Sequence, residues 1–196
     1  MTTETLHHEH QGTDSKITYG LWIYILTDCI MFSCLFASFV VLRENTYGGI
    51  NITEVATLSF VLIQTLLVIL MSFVYGIGYI QSQLLNKTGV MSCLIISALI
   101  ALVFIILQYH GLNNLVEAGF TWRSSGFLSI YFIITVIFAV HMAAAIIWML
   151  VLFIQLSYVS ITAQMRTRLA CLSLFCNYLT LIWIFIFTIV YLMRAI

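Results

Sequence analysis

Residues 55–86 read VATLSFVLIQTLLVILMSFVYGIGYIQSQLLN and contain no charged side chain. The hydrocarbon core of a bilayer is about 30 Å thick and takes about 20 helical residues to cross, so this stretch predicts a transmembrane helix. Charged residues delimit one apolar block before it and three after it. The sequence therefore predicts an all-α, polytopic membrane protein, a bundle of five transmembrane helices at about residues 18–42, 57–83, 90–109, 127–156 and 170–193.

The composition agrees with a membrane protein. Of the 196 residues, 63% are hydrophobic and 7% are charged, whereas a soluble domain carries about 25% charged residues. At about 150 residues per domain, we expect one unit, residues 17–196, behind a short tail. The formal net charge is zero, so the basic surface that nucleic acids need is missing. We expect no nucleic-acid partner.

Residues 1–16 form a polar tail that contains His7, His8 and His10. The tail has no apolar core, unlike a cleaved secretory signal. We interpret it as a disordered, solvated segment, with metal binding by its histidines as the alternative. Basic residues favour a cytoplasmic N-terminus and a periplasmic C-terminus, because they divide four against three: Lys16, Lys87, Arg166 and Arg168 against Arg43, Arg123 and Arg194.

The chain contains no proline, so the helices are expected to be long and continuous. Carriers often build substrate sites from broken helices in two related halves, and the sequence has neither feature. The five cysteines lack paired spacing and indicate small packing residues. Small residues at four-residue spacing predict close helix contacts; these are Cys29, Ser33 and Ala37, Ser72 and Gly76, and Ala139 and Ala143.

Asp28 is the only formally charged side chain inside a predicted span. Placing an aspartate at the centre of a membrane helix costs about 2.5–3.5 kcal/mol on insertion scales, so such a residue usually faces the bundle or is neutralised. We expect a protonated Asp28 that is hydrogen-bonded to a neighbouring helix. A proton relay is the functional alternative.

Uncharged polar residues also lie within the spans. His141 is at the centre of the fourth helix, Gln64 lies on the second, and the fifth carries Asn177 between Ser173 and Thr180. Such groups commonly hydrogen-bond between membrane helices. His110 and His141 could together ligate a haem. A haem-bearing membrane anchor of another respiratory complex is therefore a further alternative.

No phosphate-binding loop, nucleophile triad, zinc signature or carboxylate pair occurs in the sequence. We therefore assign no catalytic residue, no metal ligand and no cofactor to this chain. A small bundle of this kind most often serves as a subunit of a larger membrane complex.

Four segments carry a resemblance to a known family. Residues 20–37, GLWIYILTDCIMFSCLFA, resemble the corresponding segment of subunit III of cytochrome bo-type ubiquinol oxidases. Residues 125–129 and 141–149 agree with it too, as does the region from residue 166 through Trp183 to residues 187–193. The resemblance spans nearly the whole chain. Five helices, where mitochondrial-type subunit III has seven, point to the quinol oxidase branch.

The resemblance implies a subunit of a haem-copper oxidase of the aerobic respiratory chain in the bacterial inner membrane. Such a complex oxidises ubiquinol, reduces dioxygen to water and translocates protons. Subunit III is non-catalytic, supports assembly and stability beside subunit I, and retains lipids. Haem and copper are implied in subunit I, and ubiquinol is bound by the complex. The implied partners are subunits I, II and IV and membrane phospholipids.

The resemblance also implies that four polar residues stand where the family carries polar side chains within the membrane. These are Asp28, Gln64, His141 and Asn177. The family commonly has an acid near Gln108 and a carboxylate where Gln64 stands. It also has a histidine at the position of Phe138, and a tryptophan, histidine and aspartate series where the chain has Cys176, Asn177 and Thr180. Each difference removes a titratable group, which favours packing and lipid retention over proton collection.

Two further hypotheses come from these residues. Asp28 and His141 are expected to form a hydrogen-bonded pair that holds the first and fourth helices together. The main alternative to the oxidase subunit is a small stand-alone transporter or proton-conducting helix bundle that uses Asp28.

Overall fold

The long apolar runs without proline form continuous helices in the computed structural model, which describes the backbone of residues 3–43 and 58–192 and the side chains of residues 16–43 and 59–192. The helices are α1 (Thr3–Leu42), α2 (Leu58–Gln83), α3 (Lys87–Glu117), α4 (Gly126–Tyr158) and α5 (Ala163–Ile186), and α5 continues into a π-helical turn, Phe187–Leu192. In the described part of the chain five helices are long and apolar enough to cross a membrane. The predicted all-α, five-helix architecture is confirmed.

Three helices extend beyond their predicted bounds. Helix α1 begins at Thr3 instead of residue 18, so the backbone of the tail is helical where the sequence predicted disorder. Helix α3 continues to Glu117 instead of residue 109, and α5 begins at Ala163 instead of residue 170. Extending an existing helix needs no new nucleus, so polar residues join it easily. The tail histidines lie outside the residues whose side chains are described.

Side-chain caps begin three of the helices. The side-chain oxygens of Asn86, Ser125 and Thr162 accept hydrogen bonds from the first-turn backbone N–H groups of α3, α4 and α5. Each bond satisfies a donor that a helix start leaves free. In the turn before α3, Leu85 has a φ of 57°, a left-handed conformation that bulky residues rarely adopt.

Helix α5 lies at the centre of the bundle. It packs against α1, α2 and α4, while α3 packs between α2 and α4 and α1 packs on α4. The most apolar stretch of the α5 span is 56% buried, against 22–33% in the other four spans. The main contacts of α1 are with α4 and α5, and those of α2 are with α3 and α5. Helices α1 and α2 therefore flank α5.

An aromatic cluster joins α3, α4 and α5 in the core. The rings of Phe104 and Trp183 meet edge to face with centroids 4.8 Å apart, and Phe138 lies 5.0 Å from Trp183. All three side chains are fully buried. The Trp183 indole N–H donates to the hydroxyl of Thr65 on α2 at 3.0 Å. Phe138 is therefore a packing residue.

The predicted small-residue contacts are only partly correct. Ser33 and Ala37 are exposed on the outer side of α1 and face no helix of the described chain, whereas Cys29 is half-buried against the core. At Gly76 an added Cβ would meet nothing within 4 Å, whereas at Gly78 it would lie 2.7 Å from Cβ of Cys93 on α3. The close approach of α2 and α3 is at Gly78, which was not among the predicted positions. All five cysteines are free thiols.

Candidate functional site

The structure brings Asp28 of α1 and His141 of α4 together at mid-membrane depth. His141 Nε2 lies 3.1 Å from Asp28 Oδ1, and His141 Nδ1 lies 2.8 Å from the backbone oxygen of Ile137. Asp28 is 6% exposed. Phe32 covers the pair with its ring centroid 5.6 Å from that of the imidazole. The contact expected from the sequence is present.

The geometry fixes the position of one proton on the imidazole. A backbone carbonyl oxygen only accepts hydrogen bonds, so Nδ1 carries a hydrogen and donates it to Ile137. One further proton then lies between Nε2 and Oδ1. The pair is either a neutral Asp28 acid that donates to Nε2 or an imidazolium that donates to a carboxylate, and both forms have the same net charge.

Tyr178 of α5 is a third member of this site that the sequence reasoning missed. Its buried hydroxyl makes no hydrogen bond within the described part of the chain, and neither does Asp28 Oδ2, although the Asp28 carboxyl is close enough to affect the hydroxyl electrostatically. Both side chains are buried. A phenol at the centre of a membrane span usually needs a polar partner, and that was the available signal. The site therefore joins α1, α4 and α5.

Gln64 forms a separate pair with Gln108. The Gln64 Nε2 group donates to Gln108 Oε1 at 2.7 Å, and both side chains are buried. The bond links α2 to α3 near the ends of their spans that lie opposite the N-terminal side. A hydrogen bond between two neutral amides therefore holds α2 to α3 here.

Asn177 forms a third pair, with Ser72 of α2. The Ser72 hydroxyl donates to Asn177 Oδ1 at 2.7 Å. The other two polar residues on α5 were also expected to bond to neighbouring helices, and they do not. Thr180 donates to the backbone oxygen of Cys176 on its own helix, and Ser173 makes no hydrogen bond to a described residue. Asn177 is exposed on the side of the bundle between α1 and α2.

The four predicted residues therefore do not form one site. They lie in three pairs, and no hydrogen bond between described side chains connects one pair to another. Both ring nitrogens of His141 have partners in the chain, and His110 is exposed beside Tyr109, so haem ligation by these histidines has no support in the geometry. Among the side chains of residues 16–43 and 59–192, no three His, Cys, Asp or Glu residues form a metal-binding group.

Comparison with known proteins gives this bundle a family. The sequence model of cytochrome c oxidase subunit III matches residues 1–195. The chain belongs to this family. Within the subunit III family, the relative named cytochrome bo(3) ubiquinol oxidase subunit 3 from Pseudomonas aeruginosa is 34% identical, over 96% of this chain and 90% of the relative.

Subunit III relatives from two further bacteria match over a similar extent. The protein of the same name from Buchnera aphidicola is 32% identical over 98% of this chain and 96% of its own length. The protein named quinol oxidase subunit 3 from Bacillus subtilis is 30% identical over 95% of this chain and 97% of its own length. The matches cover all five helices.

Proposed function

We propose that this chain is the non-catalytic subunit III of a haem-copper ubiquinol oxidase and that it stabilises the assembled complex. The observation that carries the proposal is the pairing of its intramembrane polar groups. Each pair ties two helices of the bundle together: Asp28 with His141, Gln64 with Gln108, and Ser72 with Asn177. This arrangement is suited to holding helices in fixed positions.

The same pairing argues against proton conduction through this chain. A relay needs a series of connected donors and acceptors, whereas these pairs are separated by apolar side chains such as Phe138 and Trp183. Named relatives are subunits of quinol oxidases. A stand-alone transporter that uses Asp28 is therefore not favoured.

The partners follow from this assignment. We propose contacts with oxidase subunits I, II and IV and with membrane phospholipids, haem and copper in subunit I, and ubiquinol bound elsewhere in the complex. The chain is placed in the bacterial inner membrane with its N-terminus in the cytoplasm. Lys16, Lys87, Arg166 and Arg168 lie at that end of the bundle, which agrees with the positive-inside rule.

Copurification tests the proposed function. The C-terminus is tagged, the membranes are solubilised gently, and the companions and the reduced-minus-oxidised haem spectrum are recorded. We expect larger haem- and copper-bearing subunits with quinol oxidase activity, and we expect the haem to stay with them when this chain is stripped away. A colourless chain that purifies alone would contradict the proposal, and reconstituted transport would then be measured.

A further inference from the structure

One face of α5 is left uncovered between α1 and α2. Near the N-terminal side of the membrane this face opens into a cavity of about 700 Å³, lined by Trp22 of α1, Tyr79 and Gln83 of α2, and Arg166 and Ala170 of α5. The cavity mixes aromatic, amide and cationic groups. It marks one end of a groove that has α5 as its floor.

The groove continues along α5 toward the opposite side. Arg166, Ala170, Ser173, Asn177 and Leu181 follow one another at spacings of four, three, four and four residues, which places them on one helix face. Rows of residues at three- and four-residue spacing are the surfaces with which helices pack against one another. Asn177 and Leu181 are exposed, so no helix of the described chain occupies this face.

Asn177 indicates which chemical group an occupant of the groove must provide. It stands at the middle of the Ala163–Leu192 span. Its Oδ1 accepts from Ser72, but no described residue accepts from its Nδ2 group. In hydrocarbon an unsatisfied amide is costly.

Four exposed hydroxyl groups within the spans avoid this cost. Thr27, Ser33, Ser38 and Thr188 donate to backbone carbonyl oxygens of their own helices. Asn177 differs from them because its donors face the groove without an acceptor in the described chain. A complementary group from outside the chain is therefore required.

The depth of Asn177 distinguishes between possible occupants. A phospholipid has its acceptors at the membrane surface, near Arg166, which is about 16 Å along the helix from Asn177 at 1.5 Å per residue. Acyl chains carry no acceptor at mid-membrane depth. A transmembrane helix can present one there, and the small residues Ala170 and Ser173 allow its backbone to approach closely.

We propose that this face of α5 is the docking groove for one transmembrane helix of a partner subunit. That helix presents a hydrogen-bond acceptor to Asn177 Nδ2 at mid-membrane depth and an acidic or carbonyl group to Arg166 near the cytoplasmic surface. The inference rests on the proposed function, since the partner is a subunit of the same complex.

Site-specific photo-crosslinking in membranes tests the groove. The tagged complex is expressed with Leu181→p-benzoylphenylalanine, or with the same replacement at Ile147, a 62% exposed residue on the outer side of α4. We expect position 181 to crosslink to a transmembrane segment of one copurifying subunit, identified by mass spectrometry, and position 147 not to reach that segment.

Adding Asn177→Leu is expected to lower the yield of the crosslink at position 181 after detergent treatment about fivefold, the effect of one lost hydrogen bond. Adding Ser33→Leu, a change of an exposed residue on α1, is expected to leave it unchanged.

Several results would overturn the docking groove. These are crosslinking at position 181 to lipid only, to a second copy of this chain or to nothing, and a crosslink that Asn177→Leu does not affect. The Asn177→Gln variant keeps the amide and distinguishes a lost hydrogen bond from a misfolded bundle. Oxidase activity and subunit content of the same sample report separately on the proposed function, so either proposal can fail alone.

Discussion

At the scale of single residues, the Asp28 and His141 contact constrains what each side chain can do. Since His141 Nδ1 donates to Ile137, only Nε2 is left to interact with Asp28. A neutral acid that donates to Nε2 avoids placing two separated charges in a low-dielectric interior, where burying an ion pair is expensive. The neutral form is therefore the expected one.

Replacement of Asp28 by asparagine tests this expectation. The Asp28→Asn amide is nearly isosteric and can still donate to His141 Nε2, so the variant should insert and assemble like the original chain. The measurement is the yield of the purified complex, together with its infrared spectrum, in which a protonated-carboxyl band should disappear. Severe loss of assembly would show that Asp28 is ionised and paired with a cation.

Asp28→Leu serves as the matched comparison. Leucine has no donor, so the acceptor nitrogen of His141 stays buried and unsatisfied, a loss of about 1–3 kcal/mol. We expect the midpoint of thermal dissociation of this chain from the complex to fall for Asp28→Leu and to stay nearly unchanged for Asp28→Asn. Equal behaviour of the two variants would contradict a hydrogen-bonded pair.

A double-mutant cycle measures the coupling directly. Asp28→Leu and His141→Leu are made singly and together, and the stability of the complex is measured for all four proteins. Contacting polar residues typically show coupling of about 0.5–3 kcal/mol, and we expect a value in that range. Additive effects would mean that the two side chains contribute independently and that the contact does not hold α1 to α4.

At the scale of helices, the seam between α2 and α3 offers a test with an internal control. An added Cβ at Gly78 would lie 2.7 Å from Cβ of Cys93, whereas at Gly76 it would meet no atom within 4 Å. Gly78→Ala should lower stability by about 1–3 kcal/mol, as overpacking does. Gly76→Ala should have no such effect, because alanine favours helix without a clash. Thermal unfolding of both variants is the measurement.

The turn between α2 and α3 gives a second prediction at this scale. Leu85 has a φ of 57°, and a left-handed conformation costs a residue with a Cβ about 1–2 kcal/mol. Leu85→Gly removes that strain but adds flexibility to the unfolded chain, so a net stabilisation of about 1 kcal/mol or less is expected. A clear fall in the thermal midpoint would show that the leucine side chain has a packing role.

Helix identity was predictable from the sequence, whereas helix neighbours were not. Length and hydropathy define each span because the bilayer thickness sets both. The direction that a small residue faces depends on which helices meet. Ser33 and Ala37 have the same four-residue spacing as a helix contact but face outward, while the tight contact at Gly78 was not among the predicted positions.

The polar residues of the site were likewise predictable from the sequence, whereas most of their partners were not. Asp28, His141, Gln64 and Asn177 were identified because polar groups are conspicuous in apolar spans, and the Asp28 and His141 contact was a hypothesis that followed the family resemblance. Tyr178 was missed because the body of a tyrosine is apolar and does not stand out within an apolar span. The separation of the polar residues into three pairs depends on the rotation of each helix, which the sequence does not specify.

At the scale of the whole molecule, a supporting subunit should affect durability more than chemistry. We expect a complex stripped of this chain by detergent to keep its haem spectrum and its initial rate of quinol oxidation, but to lose activity faster on heating. The measurement is the half-life at elevated temperature with and without the chain. Immediate loss of the haem spectrum on stripping would place part of the cofactor site on this subunit.

The central position of α5 has a consequence for biosynthesis. Helix α5 follows the other four in the chain, so the ribosome releases it after them, yet α1, α2 and α4 all pack against it. Hairpins such as α2 with α3 can form early, whereas α1 waits in the membrane for both of its partners. A chain whose synthesis stops before α5 exposes Tyr75, Phe104 and Phe138 where α5 would cover them, and it is thereby recognisable to membrane proteases as unfinished.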